Sequence, residues 1–333
     1  MKVLVVNVAA ETSGALTILK QYYHVLQEEK RNEYVLCVGR SDLSSRANVK
    51  VLHFPWVKRS WLHRLWFEYV TAPRLAKNLQ IDEILSLQNT AVPRVRLPQT
   101  IYLHQPLPFT EVRFKFRDEP KFWVYQNIIG KIIVNSLKKA NRIIVQTTWM
   151  KDAVMQYAGV SPERITIQPP ELKQSMISRQ FSEPTWKLHK RFIYPATAFK
   201  YKDHLTLFRA MAVLRDLNIS DFEVLLTLDE TSLPASCRKL YKTLQKQTTL
   251  LGIVPREDLL DYMGQSVLVF PSYIETLGLP LLEARLCESP VIAADTPFAK
   301  ELLAGYEKAS FFPVKDHNVL AEHMKKIVSD AAD

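Results

Sequence analysis

Two glutamates, Glu275 and Glu283, frame the stretch of this chain richest in chemistry. They lie in Pro271-Ser272-Tyr273-Ile274-Glu275-Thr276-Leu277-Gly278-Leu279-Pro280-Leu281-Leu282-Glu283-Ala284, which follows an apolar run and opens a helical one. Pro280 suits the first helical turn, where its missing N–H would have no partner anyway. Gly278 lets the loop pass close to a ligand. Glu275 then stands in the loop and Glu283 about one turn into the helix, so both can point to one strand end. Carboxylates placed there accept hydrogen bonds from sugar hydroxyls. The free amides of Leu277 to Leu281 can receive a phosphate. An acidic first turn favoured by the helix dipole explains Glu283, but not the whole string.

Three other positions have two readings each. Ala9-Ala10-Glu11-Thr12-Ser13-Gly14-Ala15 sits between a strand and a helix. Small residues with one glycine let amides approach a phosphate, and the same residues make a tight turn capped by Thr12 or Ser13. No G-x-G-x-x-G is present, so the dinucleotide fingerprint is absent, which argues against a dehydrogenase. His104, in Tyr102-Leu103-His104-Gln105-Pro106, ends a strand and is either a functional imidazole or a satisfied buried one. Lys202 is by itself a solvated cation, and only its motif context favours a phosphate. No histidine pair has the spacing of metal ligands, so no metal site is assigned.

These residues need a scaffold, and the pattern supplies one. Short β-branched runs at 3–8, 34–38, 49–54, 83–87, 100–104, 142–146 and 165–168 alternate with helical periodicity at 15–29, 61–79, 122–140 and 148–158. A second series has strands at 192–197, 223–228, 250–253, 267–271, 291–294 and 310–313. Its helices fall at 205–217, 238–247, 256–263, 280–287, 297–303 and 318–329. Such alternation predicts parallel sheets covered on both faces, an α/β chain with two doubly wound domains. The expected boundaries are an N-terminal domain at 1–168, a linker at 169–190 opened by Pro169-Pro170, and a C-terminal domain at 191–333. Ligands of such sheets gather at the C-terminal strand ends, so a cleft between the domains is expected to hold the site.

Composition narrows the partners. In 333 residues, 47% are apolar and 23% charged, which excludes a disordered or fibrous chain. No apolar run approaches the ~18 residues of a membrane-spanning helix. Cys37, Cys237 and Cys287 lack metal or disulfide spacing and read as reduced thiols in a cytoplasm. Residues 1–168 carry 24 Lys+Arg against 13 Asp+Glu, while the remainder is nearly balanced. The basic half points to an anionic partner: a membrane surface, a nucleic acid or a phosphorylated substrate. Within it, Val57-Lys58-Arg59-Ser60-Trp61-Leu62-His63-Arg64-Leu65-Trp66-Phe67 reads either as an interfacial amphipathic helix or as one that packs Trp61, Leu65 and Trp66 on the sheet. Val112-Arg113-Phe114-Lys115-Phe116-Arg117 alternates charge and aromatic as a strand or extended loop does. No nucleic-acid motif accompanies either stretch, and no nucleic acid is expected.

The string P-S-x-x-E-x-x-G-L-P-x-x-E-A resembles the signature of retaining, GT-B-fold glycosyltransferases of family 4 (glycosyl transferases group 1). The likeness extends to Leu251-Gly252-Ile253-Val254-Pro255, to Ser289-Pro290-Val291-Ile292-Ala293-Ala294-Asp295, and to Pro195-Ala196-Thr197-Ala198-Phe199-Lys200-Tyr201-Lys202-Asp203-His204. It implies two Rossmann-like domains facing each other across a cleft and transfer of a sugar, of the hexosyl type and without a metal or cofactor. The donor is a nucleotide-diphosphate sugar, with UDP ahead of GDP or dTDP. The acceptor is a glycan or a lipid-diphosphate-linked glycan, in bacterial surface polysaccharide synthesis. The setting is the cytoplasm and the inner face of its membrane.

Residue by residue, the resemblance assigns Glu283 to the ribose hydroxyls and Glu275 to the donor sugar. Lys202 goes to the diphosphate, and Val254 to the border of the base. The amides around Thr276, Leu277, Gly278 and Leu279 go to the sugar and phosphates. Gly14 belongs to the loop closing over the diphosphate, and His104 stands near the reacting sugar. Two departures accompany it: Thr197 stands where members often carry arginine, a charge that Lys200 can supply, and Ser13-Gly14 replaces a glycine pair. Members also usually carry a further helix beyond a point such as Lys325-Lys326, which marks that helix as naturally absent or missing here. Two rival readings keep the scaffold: a non-catalytic nucleotide-sugar or polyanion-binding module, and a nucleotide-sugar epimerase or hydrolase.

Overall fold

The computed structural model describes residues 1–10, 13–170 and 190–330. The chain forms two compact units, Met1–Pro170 and Glu171–Asp333. Apart from 169–170 and 190, the expected linker lies outside the described residues.

In the first unit the strands are β1 (Lys2–Asn7), β2 (Glu33–Val38), β3 (Val49–His53), β4 (Glu83–Ser86), β5 (Gln99–Tyr102), β6 (Arg142–Val145) and β7 (Ile165–Ile167). They make one parallel sheet in the order β3-β2-β1-β4-β5-β6-β7. Every residue of β1 after Lys2 is buried, because helices cover both faces. On one face Val3, Val5, Leu36 and Tyr102 pack against Ile18, Leu19 and Tyr23 of the helix Ser13–Glu28. On the other, Leu4, Val6, Cys37 and Ile84 meet Phe67, Ala72 and Ala76. Further along, Ile101, Ile143 and Val145 meet Ile133, Leu137 and Met150.

The second unit contains β8 (Arg191–Tyr194), β9 (Glu223–Leu226), β10 (Thr248–Leu250), β11 (Val267–Phe270), β12 (Val291–Ala294) and β13 (Ala309–Phe312). They form a parallel sheet in the order β10-β9-β8-β11-β12-β13. Each sheet reverses its strand order once, between β1 and β4 and between β8 and β11. At such a point the loops leaving neighbouring strands part and open a crevice at the C-terminal strand ends.

All the strands that the pattern predicts are present, and several stop short for identifiable reasons. The runs expected to reach Thr197 and Pro271 end at Tyr194 and Phe270, because Pro195 and Pro271 have no N–H for a ladder. The run expected to reach His104 ends at Tyr102, because the His104 N–H donates to the Asn89 side chain instead. Two long helices each contain one wide π turn. Trp61–Trp66 continues through Phe67–Thr71 into Ala72–Asn78, and Pro120–Val124 continues through Tyr125–Ile129 into Gly130–Lys139. In the first, Pro73 lacks an N–H and its ring crowds the preceding turn, which a wider turn relieves.

Candidate active site

The second unit carries a polar cluster, and its topology explains why. The loops after β8 and β11 leave adjacent strands at the reversal point. They are joined there by Tyr273 N–H donating to the Tyr201 carbonyl at 3.0 Å, with Ser272 Oγ 3.3 Å from the same oxygen. Lys202 closes the short turn Lys200–Lys202, and its Nζ forms an ion pair with Glu275 Oε1. That oxygen also accepts from Ser272 Oγ at 2.8 Å. The Tyr194 hydroxyl donates to the Lys202 carbonyl at 2.6 Å, which fixes the turn from below. Two residues that motif matching places apart in sequence, Lys202 and Glu275, therefore touch.

Gly278 caps the helix Leu279–Leu286 with φ of 80°, and Pro280 stands in its first turn. This left-handed backbone favours glycine. A Cβ here would come within 3.2 Å of Leu281 Cδ1 and 3.5 Å of Phe270 Cζ. The amides of Thr276, Leu277, Gly278 and Leu279 precede or open this helix, so none has an intrahelical acceptor, and the helix dipole adds positive potential there. Glu283 is buried on the helix, and burial raises its carboxyl above the ordinary range while Arg256 opposes that shift. Arg256 Nη2 donates to Glu283 Oε1 at 2.9 Å.

Arg256 opens the helix Arg256–Gly264, directly after Val254-Pro255. That helix lies beside Leu279–Leu286, tied by Ser289 Oγ donating to the Met263 carbonyl at 2.6 Å. Val254 stands two residues before Arg256, the partner of Glu283. Lys200 and Thr197 are both exposed on the loop after β8. Lys315, on the loop after β13, holds its Nζ 4.7 Å from the centre of the Tyr273 ring.

In the first unit, His104 follows β5 and is gripped by Asn89 from the loop after β4. His104 N–H donates to Asn89 Oδ1 at 2.7 Å, and Asn89 Nδ2 lies 3.3 Å from His104 Nε2. Asn89 has φ of 71°, a conformation asparagine tolerates better than most residues. Burial lowers the imidazole to a pKa of about 4, so the ring is neutral at physiological pH. An amide N–H of Asn89 donating to Nε2 leaves the ring proton on Nδ1, which has no hydrogen-bond partner among the described residues. Gly14 is the second residue of the helix Ser13–Glu28, while Glu11 and Thr12 lie outside the described residues.

Arg256 and Ser272 join the cluster of the second unit, and Asn89 the His104 pair of the first, without having been singled out by sequence. Arg256 begins a helix after a proline and belongs to no spacing pattern. Asn89, in Gln88-Asn89-Thr90, had a faint signal in its turn chemistry. Among the described residues no three His, Cys, Asp or Glu side chains group as metal ligands would. No helix there is long and apolar enough to cross a membrane.

Residues 13–170 match the model of Glycosyltransferase Family 4, and residues 179–333 match that of Glycosyl transferases group 1. The O-antigen chain mannosyltransferase RfbU of Salmonella typhimurium is 21% identical over 240 residues, 71% of this chain. The matched stretch spans 63% of that relative's length. The structure of sucrose-phosphate synthase from Thermosynechococcus elongatus superposes with a TM-score of 0.76 at 16% identity, covering 99% of this chain and 90% of that one. Anabaena HepE in complex with UDP-glucose gives a TM-score of 0.69 at 17% identity, covering 100% and 91%. The chain belongs to the GT-B glycosyltransferases of the family 4 type.

Proposed function

We propose that this chain is a retaining glycosyltransferase that moves a hexosyl group from a nucleotide-diphosphate sugar to a glycan or lipid-linked acceptor in surface polysaccharide synthesis. The observation that carries the reading is the contact of Lys202 with Glu275 at the strand reversal, with the buried Glu283 on the helix that follows the Glu275 loop. Support for the donor class comes from HepE, a structure of the same fold that holds UDP-glucose. RfbU, a mannosyltransferase of O-antigen chains, supports the polysaccharide setting.

In this reading the bond from the anomeric carbon to the donor phosphate oxygen breaks, and the acceptor oxygen bonds to the same face. The acceptor proton passes to the departing phosphate oxygen. Charge building on the diphosphate is met by Lys202 and the amides of Thr276 to Leu279, held before the reaction begins. Glu275 accepts from a sugar hydroxyl, and Glu283 uses the oxygen not engaged by Arg256 for the ribose. Val254 borders the base. His104, neutral with its proton on Nδ1, donates a hydrogen bond near the reacting sugar rather than acting as an acid. Gly14 keeps the first helix turn open to the diphosphate. The reaction uses no resident metal, so a chelator leaves its rate unchanged. The acceptor is met at the inner face of the membrane.

The test is calorimetry with UDP-, GDP- and dTDP-sugars, with Glu283→Ala as control. One nucleotide class should bind, and the variant should weaken it. No binding by a folded sample, or binding unchanged in the variant, overturns the donor site. Binding without turnover in any acceptor mixture favours a non-catalytic module.

A further inference from the structure

We infer that the outward face of the helix Trp61–Trp66 and of the turn after it docks the first unit on an anionic lipid bilayer. A helix packed on a sheet turns its apolar side inward and its polar side to water. Here the inward side is already complete: Phe67, Ala72 and Ala76 are buried against Leu4, Val6 and Cys37. The outward side nonetheless presents Trp61, Leu62, Leu65, Trp66 and Tyr69, which range from 41% to 76% exposed. Their spacing sets them along one side of the helix. Of the two readings of this stretch, packing of Trp61, Leu65 and Trp66 on the sheet is therefore the one the structure discards.

Chemistry selects the occupant. Lys58 and Arg59 are exposed immediately before the helix, and Arg94 Cζ stands 5.6 Å from the centre of the Tyr69 ring. Tryptophan and tyrosine with a rim of cations suit the headgroup level of a bilayer, where rings enter the acyl boundary and cations meet anionic phosphates. The surrounding half of the chain adds a long-range positive field, with 24 Lys+Arg against 13 Asp+Glu over residues 1–168. A second exposed aromatic, Phe116, stands between exposed Lys115 and Arg117. The Arg64–Glu68 pair at 2.5 Å is internally neutralised and only half-buried, so it carries none of the attraction.

Position gives the surface a purpose. The segment leaves β3 at its C-terminal end, the edge of the sheet from which the loops bearing Asn89 and His104 also emerge. Docking there brings that edge to headgroup level, where a lipid-linked acceptor presents its sugar. For this purpose alone, the inference rests on the proposed acceptor.

The experiment mixes the full chain with vesicles of phosphatidylcholine alone or with phosphatidylglycerol added, and measures co-sedimentation. Quenching of tryptophan fluorescence by brominated acyl chains reads insertion. The combined Trp61→Ser, Leu62→Ser and Trp66→Ser variant, checked for folding by circular dichroism, is compared throughout. We expect binding to the anionic vesicles and quenching, with affinity reduced at least about tenfold in the variant. Lys58→Glu with Arg59→Glu should weaken binding in a salt-dependent way. Absence of anionic-vesicle binding, or binding that survives the triple variant unchanged, overturns the inference. So does a wild-type dimer in light scattering that the triple variant dissolves, since the face would then join two copies of this chain. Donor calorimetry on the same samples separates the two readings: docking that holds without donor binding refutes the transferase and leaves the lipid face standing.

Discussion

Replacing Arg256 by methionine isolates the electrostatics of the proposed nucleotide site, since methionine keeps much of the arginine stem and removes its charge. Arg256 donates to Glu283 at 2.9 Å, and the two side chains are 34% and 8% exposed. Breaking a fully buried ion pair costs about 3–5 kcal/mol, and a hydrogen bond to a charged group contributes about 1.5–3 kcal/mol. With water reaching the guanidinium, the lower scale applies, and we expect a loss of about 2 kcal/mol at neutral pH. For a domain of this size that lowers Tm by roughly 4–8 °C. The sign with pH follows from Glu283, whose carboxyl is raised by burial despite the arginine. A raised carboxyl favours the folded state below the unfolded pKa, and that advantage is lost as pH rises through the folded value. Removing Arg256 raises the carboxyl further. The deficit of the variant should then be largest at pH 7–8 and shrink towards about pH 4, because protonating Glu283 removes the charge that Arg256 meets. Glu283→Gln should restore most of the loss in the double variant. Urea unfolding of the four proteins of this cycle, at both pH values, is the assay. A deficit independent of pH and unchanged by Glu283→Gln would refute the pairing as its cause.

Other expectations are simpler. Gly278→Ala should cost about 1–2 kcal/mol in urea unfolding, from a left-handed φ of 80° and a Cβ contact of 3.2 Å with Leu281; a neutral result would show that the cap relaxes. Lys202→Met should weaken donor binding more than Lys200→Met in calorimetry, since only Lys202 is held against Glu275; equal losses would contradict that division. With His104 at a pKa of about 4, a pH–rate profile between about pH 5 and 8 should show no ionisation that His104→Gln abolishes. The three thiols are buried, with Cys37 and Cys287 pushed up to about 12 and Cys237 to about 11. Ellman's reagent should therefore label the native protein slowly and the denatured protein at all three cysteines.

What the sequence disclosed, and what it withheld, divides along the range of the interactions. Strands such as Lys2–Asn7 and Val267–Phe270 are unbroken apolar runs because both faces of a parallel sheet are covered, so their existence is local information. The string from Pro271 to Ala284 is likewise local: a proline in a first turn, a glycine at φ of 80° and two glutamates are set by one loop and one helix. The ends of strands were less legible, because His104 leaves its ladder for a side chain fifteen residues away. The pairing of Lys202 with Glu275 spans 73 residues and depends on β8 and β11 being neighbours at the reversal point, which no window of sequence contains. Arg256 was invisible for the same reason, since its meaning comes only from the buried carboxylate on the next helix. The helix at Trp61 shows the opposite case. Its composition left two readings equally open, and only the completed inner packing of Phe67, Ala72 and Ala76 forces the tryptophans outward. A surface that exposes such residues while its core lacks nothing is explained by a second apolar phase, and that is what makes the vesicle experiment decisive for this half of the chain.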